Sequence, residues 1–224
     1  MQERIAVIAA HPDDEALGCG GSLLKYKHFG YEIHLLFMTD GISSRSNSTD
    51  SEFLTRKNGY QKALDFLKPT SFENLSFPDN QLDTVSILEI TKHVEKFIAR
   101  TQPTLVLTHF WNDLNIDHCI TNRATLTACR PGANNFVRKI LCFEIPSSTE
   151  WAIGDQKFNP NYYINITDWI SHKLEYLKCY DDEMREFPHA RSYNNIISMH
   201  EHHGACVNVK SAEAFYLLRS LDSY

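Results

Sequence analysis

No apolar run in this 224-residue chain approaches the length that crosses a bilayer, which excludes a helical membrane span. Positive charge is scarce. The 22 Lys and Arg residues face 28 Asp and Glu, a formal balance of −6, so the clustered cations of a general nucleic-acid binder are missing. The cysteines (Cys19, Cys119, Cys129, Cys142, Cys179 and Cys206) include no C-x-x-C pair. That absence excludes a zinc site built on paired thiolates and predicts reduced thiols in a cytosolic protein. The opening Met1-Gln2-Glu3-Arg4 lacks the basic n-region of a signal peptide, so the expected location is the cytoplasm. Neither a repeat nor a linker interrupts the chain, and residues 1–224 are expected to form one domain.

What is present is an alternation of apolar runs and amphipathic stretches, the pattern of successive βαβ units. Strands are expected over residues 5–10, 33–38, 72–77, 104–108 and 140–145, and helices over 53–67, 87–98 and 117–129. Another helix should follow the first strand, with Leu17, Gly20, Gly21 and Leu24 on one face. Beyond Pro146 the alternation loosens into a strand over 162–166 and helices over 169–180 and 191–203. The expected fold class is α/β: a mostly parallel sheet, helices on both faces and a C-terminal covering layer. The polar segment 43–51 reads as a solvated loop or a flap at the strand ends.

The chemistry concentrates where the first apolar run stops, at His11-Pro12-Asp13-Asp14-Glu15. Pro12 pushes His11 into extended backbone and suits the opening of a helix. A lone Asp there would be a helix cap, but four metal-competent groups in five residues exceed what a cap needs. One aspartate is free to bind a metal while its neighbour faces a substrate. The fourth apolar run leads into His109-Phe110-Trp111-Asn112-Asp113-Leu114-Asn115-Ile116-Asp117-His118, on the same edge of a parallel sheet. His11, Asp14 and His118 would make three ligands with a fourth position open, the pattern of catalytic zinc. Mixed nitrogen and oxygen donors also admit Fe2+, Co2+ or Mn2+.

Residues 10–15 and Asp113-Leu114-Asn115-Ile116-Asp117-His118 resemble the two signature segments of the PIG-L/LmbE-like zinc-dependent N-deacetylases. The tail from Gly204 to Ala212-Glu213-Ala214-Phe215 is similar to that family's C-terminal pattern, so the resemblance covers nearly the whole chain. It implies a Rossmann-like domain that removes an acyl group, typically acetyl, from the nitrogen of an amino sugar. It implies His11, Asp14 and His118 as metal ligands and Asp13 as general base. The chemistry agrees: a metal activates water and polarises the amide, and a free carboxylate moves the proton from water to the leaving amine. Glu15 would orient the site or serve the helix terminus.

One position departs from the family pattern. Many relatives carry a second histidine three residues before the last ligand, where this chain has Asn115. Its amide can donate a hydrogen bond to an oxyanion but carries no charge, and His109 is the alternative donor. Asp117, beside His118, joins the catalytic set. Arg56 resembles an arginine the family places after the polar loop, although Gly59 stands where relatives have Glu. Asp79 would meet sugar hydroxyls, Arg191 an anionic group, and His109 the substrate. His200, His202 and His203 read as a solvated helix end.

The expected partner is a small N-acylated amino sugar, with no nucleic acid and no membrane; a homo-oligomer is compatible with the sequence but not specified by it. An amidase acting on a larger sugar-linked conjugate is the nearest alternative. A nucleotide-binding module is weaker, because Gly18-Cys19-Gly20-Gly21 has Leu23 at the third glycine position and starts well past the strand.

Overall fold

The computed structural model describes residues 3–41, 50–132 and 136–222. Most of the polar segment 43–51 therefore lies outside the described residues. In chain order the elements are β1 (Arg4–Ala9), α1 (Asp14–His28), β2 (Glu32–Thr39), α2 (Asp50–Leu67), β3 (Ser71–Phe77), α3 (Ile87–Thr101) and β4 (Leu105–His109). Then come α4 (Ile116–Ala128), β5 (Lys139–Phe143), β6 (Tyr162–Asn165), α5 (Ile170–Leu177), α6 (Tyr193–Cys206) and β7 (Ala212–Ser220). One seven-stranded sheet runs β3-β2-β1-β4-β5-β7-β6. The first five strands are parallel, and β7 lies antiparallel to both β5 and β6.

β1 explains why the sheet is buried on both faces. Ile5, Val7 and Ala9 enter one core with α1, α2 and α5, while Ala6 and Ile8 enter the other with α3 and α4. Alternate side chains point to opposite faces, so a strand covered on both sides must be apolar throughout. Each such large side chain removed from water contributes about 1.5–3 kcal/mol.

The glycines of α1 serve packing. A Cβ on Gly18 would sit 2.4 Å from the Phe143 ring, and one on Gly21 would crowd Ile166 and Glu213. The helix breaks at Cys19 (φ −148°). Across the break Glu213 accepts from the N–H groups of Gly21 (2.9 Å) and Ser22 (2.7 Å), and Lys173 Nζ donates to the Leu17 carbonyl (2.7 Å) and to Glu213 (2.6 Å). Both charged side chains are fully buried, so the pair acts as an internal cap for two half-helices. This arrangement accounts for the glycines without a nucleotide.

The last third of the chain is more than a cover. α5 and α6 do cover, but residues 212–220 insert as a strand between β5 and β6, an element absent from the sequence reading. The chain winds from β1 outward through β2 and β3, then returns to β4 on the other side of β1. Ligands in open α/β sheets sit at such a reversal, outside the carboxyl ends of the strands. The turns after β1 and β4 meet there.

Candidate active site

The turn from β1 to α1 is held in a demanding conformation. Asp13 has φ +124°, a region that non-glycine residues rarely occupy, at a cost of about 1–3 kcal/mol. Its N–H donates to Glu15 Oε2 (3.0 Å), while Glu15 Oε1 accepts from the hydroxyls of Tyr176 (2.7 Å) and Tyr180 (2.9 Å). Glu15, buried beneath the turn in the first turn of α1, thus ties the Asp13 backbone to the two tyrosines. Burial raises its pKa despite these hydrogen bonds. The His11 N–H donates to Asp14 Oδ2 (2.8 Å), closing the turn on itself.

Three donors from two elements converge. His11, Asp14 and His118 offer ligand atoms that all lie within 4.8 Å of one another. Asp14 Oδ2 is 3.2 Å from His11 Nδ1, and Asp14 Oδ1 is 3.5 Å from His118 Nε2. Asp14 Oδ1 is buried and has no hydrogen-bond partner among the described residues. An unsatisfied buried carboxylate oxygen is costly, and a cation would satisfy it, so the donor set fits a divalent metal. Burial opposes ionisation of Asp14, but His118 and His109 outweigh it and hold its pKa well below the ordinary value.

The two imidazoles have their own supports. His118 Nδ1 lies 3.1 Å from Asp113 Oδ1, the carboxylate–histidine pairing that fixes metal-binding imidazoles. Burial disfavours the charged ring, yet Asp14 and Asp113 raise its pKa to about 8. Asp113 accepts in turn from the hydroxyls of Ser148 and Thr149 and from the Asn115 N–H. Burial disfavours its charge, but His118 and these hydroxyls bring its pKa down to about 2. His11 Nε2 lies 3.2 Å from both Asp79 Oδ1 and Asp117 Oδ2. Burial works against its charge, while Asp117, Asp14 and Asp79 raise its pKa well above the usual value.

Asp117 also accepts from the N–H groups of Asn80 (2.7 Å) and Leu82 (3.0 Å), tying the loop after β3 to the start of α4. A further group, His11, Asp79 and Asp117, has ligand-like spacing. Within it, both Asp117 oxygens already accept backbone N–H groups. Asn115 is the N-cap of α4: its Oδ1 accepts from the Asp117 N–H (2.8 Å) and its Nδ2 donates to Asn80 Oδ1 (3.0 Å).

Above these groups lies a polar cavity of about 120 Å³ whose walls include His11, Asp13, Arg56, Asp79, Asn115 and Arg191. Arg191 Nη1 donates to Asp13 Oδ2 (2.9 Å), and its Nε donates to Ser147 Oγ (3.0 Å). Arg56 pairs with Glu183 and donates to the Gly41 carbonyl. Burial pushes the Asp13 pKa up to about 6, with Arg191 pulling the other way. Gly41 (φ +68°) lets the chain pass close by, since a Cβ there would approach Pro12 and Arg56.

Two expectations need correction. His109 does not line the cavity. It lies fully buried beneath it, accepts the Ala10 N–H at Nε2 (2.9 Å) and stacks on His118 with ring centroids 4.0 Å apart. Burial and neighbouring His118 lower its pKa to about 4. His200 and His203 are not a solvated helix end either: both are buried, and His203 Nε2 pairs with Glu144 (2.7 Å). The sequence reading gave no role to Asp113, Asn80 or Glu183. Asp113 opens the second signature segment and Asn80 follows Asp79, so both were within reach; Glu183 carries no local signal.

A family model described as PIG-L, GlcNAc-PI de-N-acetylase, matches residues 6–129. A deacetylase of Escherichia coli named YaiS, itself uncharacterised, is 30% identical over 180 residues, covering 78% of this chain and 88% of its own. The diacetylchitobiose deacetylase of Thermococcus kodakarensis is 26% identical over 195 residues, 82% of this chain and 71% of its own. Among solved structures, the N,N'-diacetylchitobiose deacetylase of Pyrococcus horikoshii superposes with a TM-score of 0.78 at 19% identity, covering 97% of this chain and 84% of that one.

Proposed function

The chain belongs to the PIG-L family, and we propose on that basis that it is a zinc-dependent hydrolase removing an N-acetyl group from an amino sugar or amino-sugar conjugate. The convergence of His11, Asp14 and His118 beneath the carboxylate of Asp13 carries this reading. These three residues would hold the metal. A divalent cation there supplies Lewis acidity toward the amide carbonyl and toward water.

The remaining steps belong to the chain's own side chains. Asp13 accepts a proton from the attacking water as the new C–O bond forms, then passes it to the nitrogen as the C–N bond breaks. Acetate and a free amine result. Arg191 and the Asp13–Glu15 backbone contact fix that carboxylate before substrate arrives. The Asn115 amide has two N–H donors; one is given to Asn80, and the other is assigned to the developing oxyanion. Asp117 and Asp79 hold the His11 ring, and Asp79 and Arg56 also offer polar atoms to sugar hydroxyls. No helix among the described residues is long and apolar enough to cross a membrane.

Metal analysis together with amine release tests this reading. Purified protein should carry one divalent ion per chain and release amine from N-acetylated amino sugars, with zinc compared against Fe2+, Co2+ and Mn2+ after chelation. His118→Ala should lose most of the metal. Equal metal content in the variant would remove His118 from the ligand set, and no amine release across the sugar panel would reject the reaction.

A further inference from the structure

Two guanidiniums line the polar cavity, those of Arg56 and Arg191, and both are already engaged by carboxylates. Arg191 Nη1 lies 2.9 Å from Asp13 Oδ2 and 3.6 Å from Glu183 Oε2. Arg56 Nη2 pairs with Glu183 Oε1, and its Nε lies 3.7 Å from Asp182. One buried carboxylate, Glu183, therefore bridges the two arginines with an oxygen toward each. Among the described residues of the lining, three carboxylates (Asp13, Asp79 and Glu183) meet these two guanidiniums.

Glu183 comes from a part of the chain remote from both signature segments. It ends a 3-10 stretch, Lys178–Glu183, that follows α5. That stretch lies against α2 at Gly59, where a Cβ would come within 2.7 Å of the Cys179 carbonyl oxygen. A larger side chain there would push the stretch away from the helix, and Arg56 stands on the same helix three residues earlier. The close approach at Gly59 thus sets Glu183 against Arg56. The arginines are held from their other sides as well. Arg56 donates to the Gly41 carbonyl, and Arg191 Nε donates to Ser147 Oγ (3.0 Å) and to the Pro146 carbonyl (3.3 Å). Neither can leave Glu183 for a ligand without breaking these contacts.

An anion entering beside the arginines meets Glu183 at close range in a largely buried setting, where like charges repel strongly. To pair with Arg191 it would also have to draw that side chain from Asp13. An uncharged sugar needs neither change. A hydroxyl both donates and accepts, so it can join the Arg56–Glu183 pair without displacing either member. We propose that Glu183 is a specificity-determining residue that reserves the polar cavity for amino sugars bearing no carboxylate or phosphate. The inference rests on the reading that this cavity holds the sugar. It runs against the expectation that Arg191 meets an anionic group of the substrate.

Equilibrium binding tests this without turnover, because the ligands used are already amines. Two matched pairs are needed, each a carboxamide and its carboxylate. One comprises the methyl glycosides of 2-amino-2-deoxyglucuronamide and 2-amino-2-deoxyglucuronic acid; the other, the carbamoylmethyl and carboxymethyl glycosides of glucosamine. They place the charge at C6 or at C1 with little change of size. Calorimetric titration into the metal-loaded protein should show the amide binding about tenfold tighter or better in at least one pair. In Glu183→Gln, which keeps the shape of the side chain, that ratio should fall to near one or invert. Glu186→Gln removes a nearby but exposed charge and should leave the ratio at its wild-type value. Thermal melts check that both variants fold. Equal or tighter binding of the carboxylate in both wild-type pairs overturns the proposal, so it stays falsifiable even if Glu183→Gln does not fold. A preference for the amide that survives Glu183→Gln, or that Glu186→Gln also removes, overturns it too. If none of these compounds binds, the cavity is not an amino-sugar site and the inference falls with that reading. A protein that discriminates as expected yet releases no amine from N-acetylated sugars keeps this inference and rejects the reaction.

Discussion

Asp13 and Asp14 are chemically identical neighbours that the backbone sends into different surroundings. Asp14 is pinned by the His11 N–H and points between two imidazoles; Asp13, at positive φ, faces the cavity and Arg191. A ligand and a base need opposite things: one must stay ionised against a metal, the other must take up and release a proton near neutrality. The environments match that division, with Asp14 held well below the ordinary pKa and Asp13 raised to about 6. Asp13→Asn should therefore lower kcat by about 10²- to 10⁴-fold while metal content stays at the wild-type level. Steady-state kinetics alongside elemental analysis decide it. Metal loss in Asp13→Asn would exchange the two roles, and unaltered turnover would remove Asp13 from the chemistry. The pair was legible in the sequence because its residues are consecutive. Arg191 was placed there only as a contact for an anion; its partner turns out to be Asp13 itself, 178 positions away.

At the scale of elements, legibility followed burial. β1, β2, β4 and β5 are covered on both faces and read as predominantly apolar runs. β3 is the half-exposed edge strand, so its pattern is weaker. β7 escaped because its second residue is Glu213, a charge in the buried opening of the strand that no periodicity anticipates. The explanation lies across the fold, in Lys173 and the broken helix α1. Removing one partner of a buried ion pair leaves the other uncompensated, at a cost of about 3–5 kcal/mol. Glu213→Leu should thus lower Tm by on the order of 10 °C, since Lys173 and the N–H groups of Gly21 and Ser22 lose their acceptor together. Glu213→Leu combined with Lys173→Met should recover part of that loss in thermal melts. A double variant less stable than the single one would show that Lys173 stabilises through the Leu17 carbonyl instead.

For the whole molecule, the site is a charge system shared by β1, β4 and the loop after β3, and under the proposed function protons compete with metal for it. The folded protein raises the pKa of His118 to about 8 and that of His11 well above its ordinary value, through carboxylates on three separate segments. A histidine whose pKa is raised on folding stabilises fully below its unfolded value of about 6.5, and that contribution fades as pH climbs through the folded value. For His118 the amount at stake is on the order of 2 kcal/mol. A chelated, metal-free preparation should accordingly lose stability between about pH 6.5 and pH 8. Metal binding runs the other way: ligation requires neutral imidazoles, so affinity rises over the same interval and binding expels protons. The gap in Tm between loaded and chelated protein should widen as pH rises from 6.5 to 8. Calorimetric titration of metal in two buffers of different ionisation enthalpy should register proton release that shrinks toward the alkaline end. A gap independent of pH, with no proton release, would mean that these histidines are already neutral in the folded chain and that the surrounding carboxylates serve only to position them.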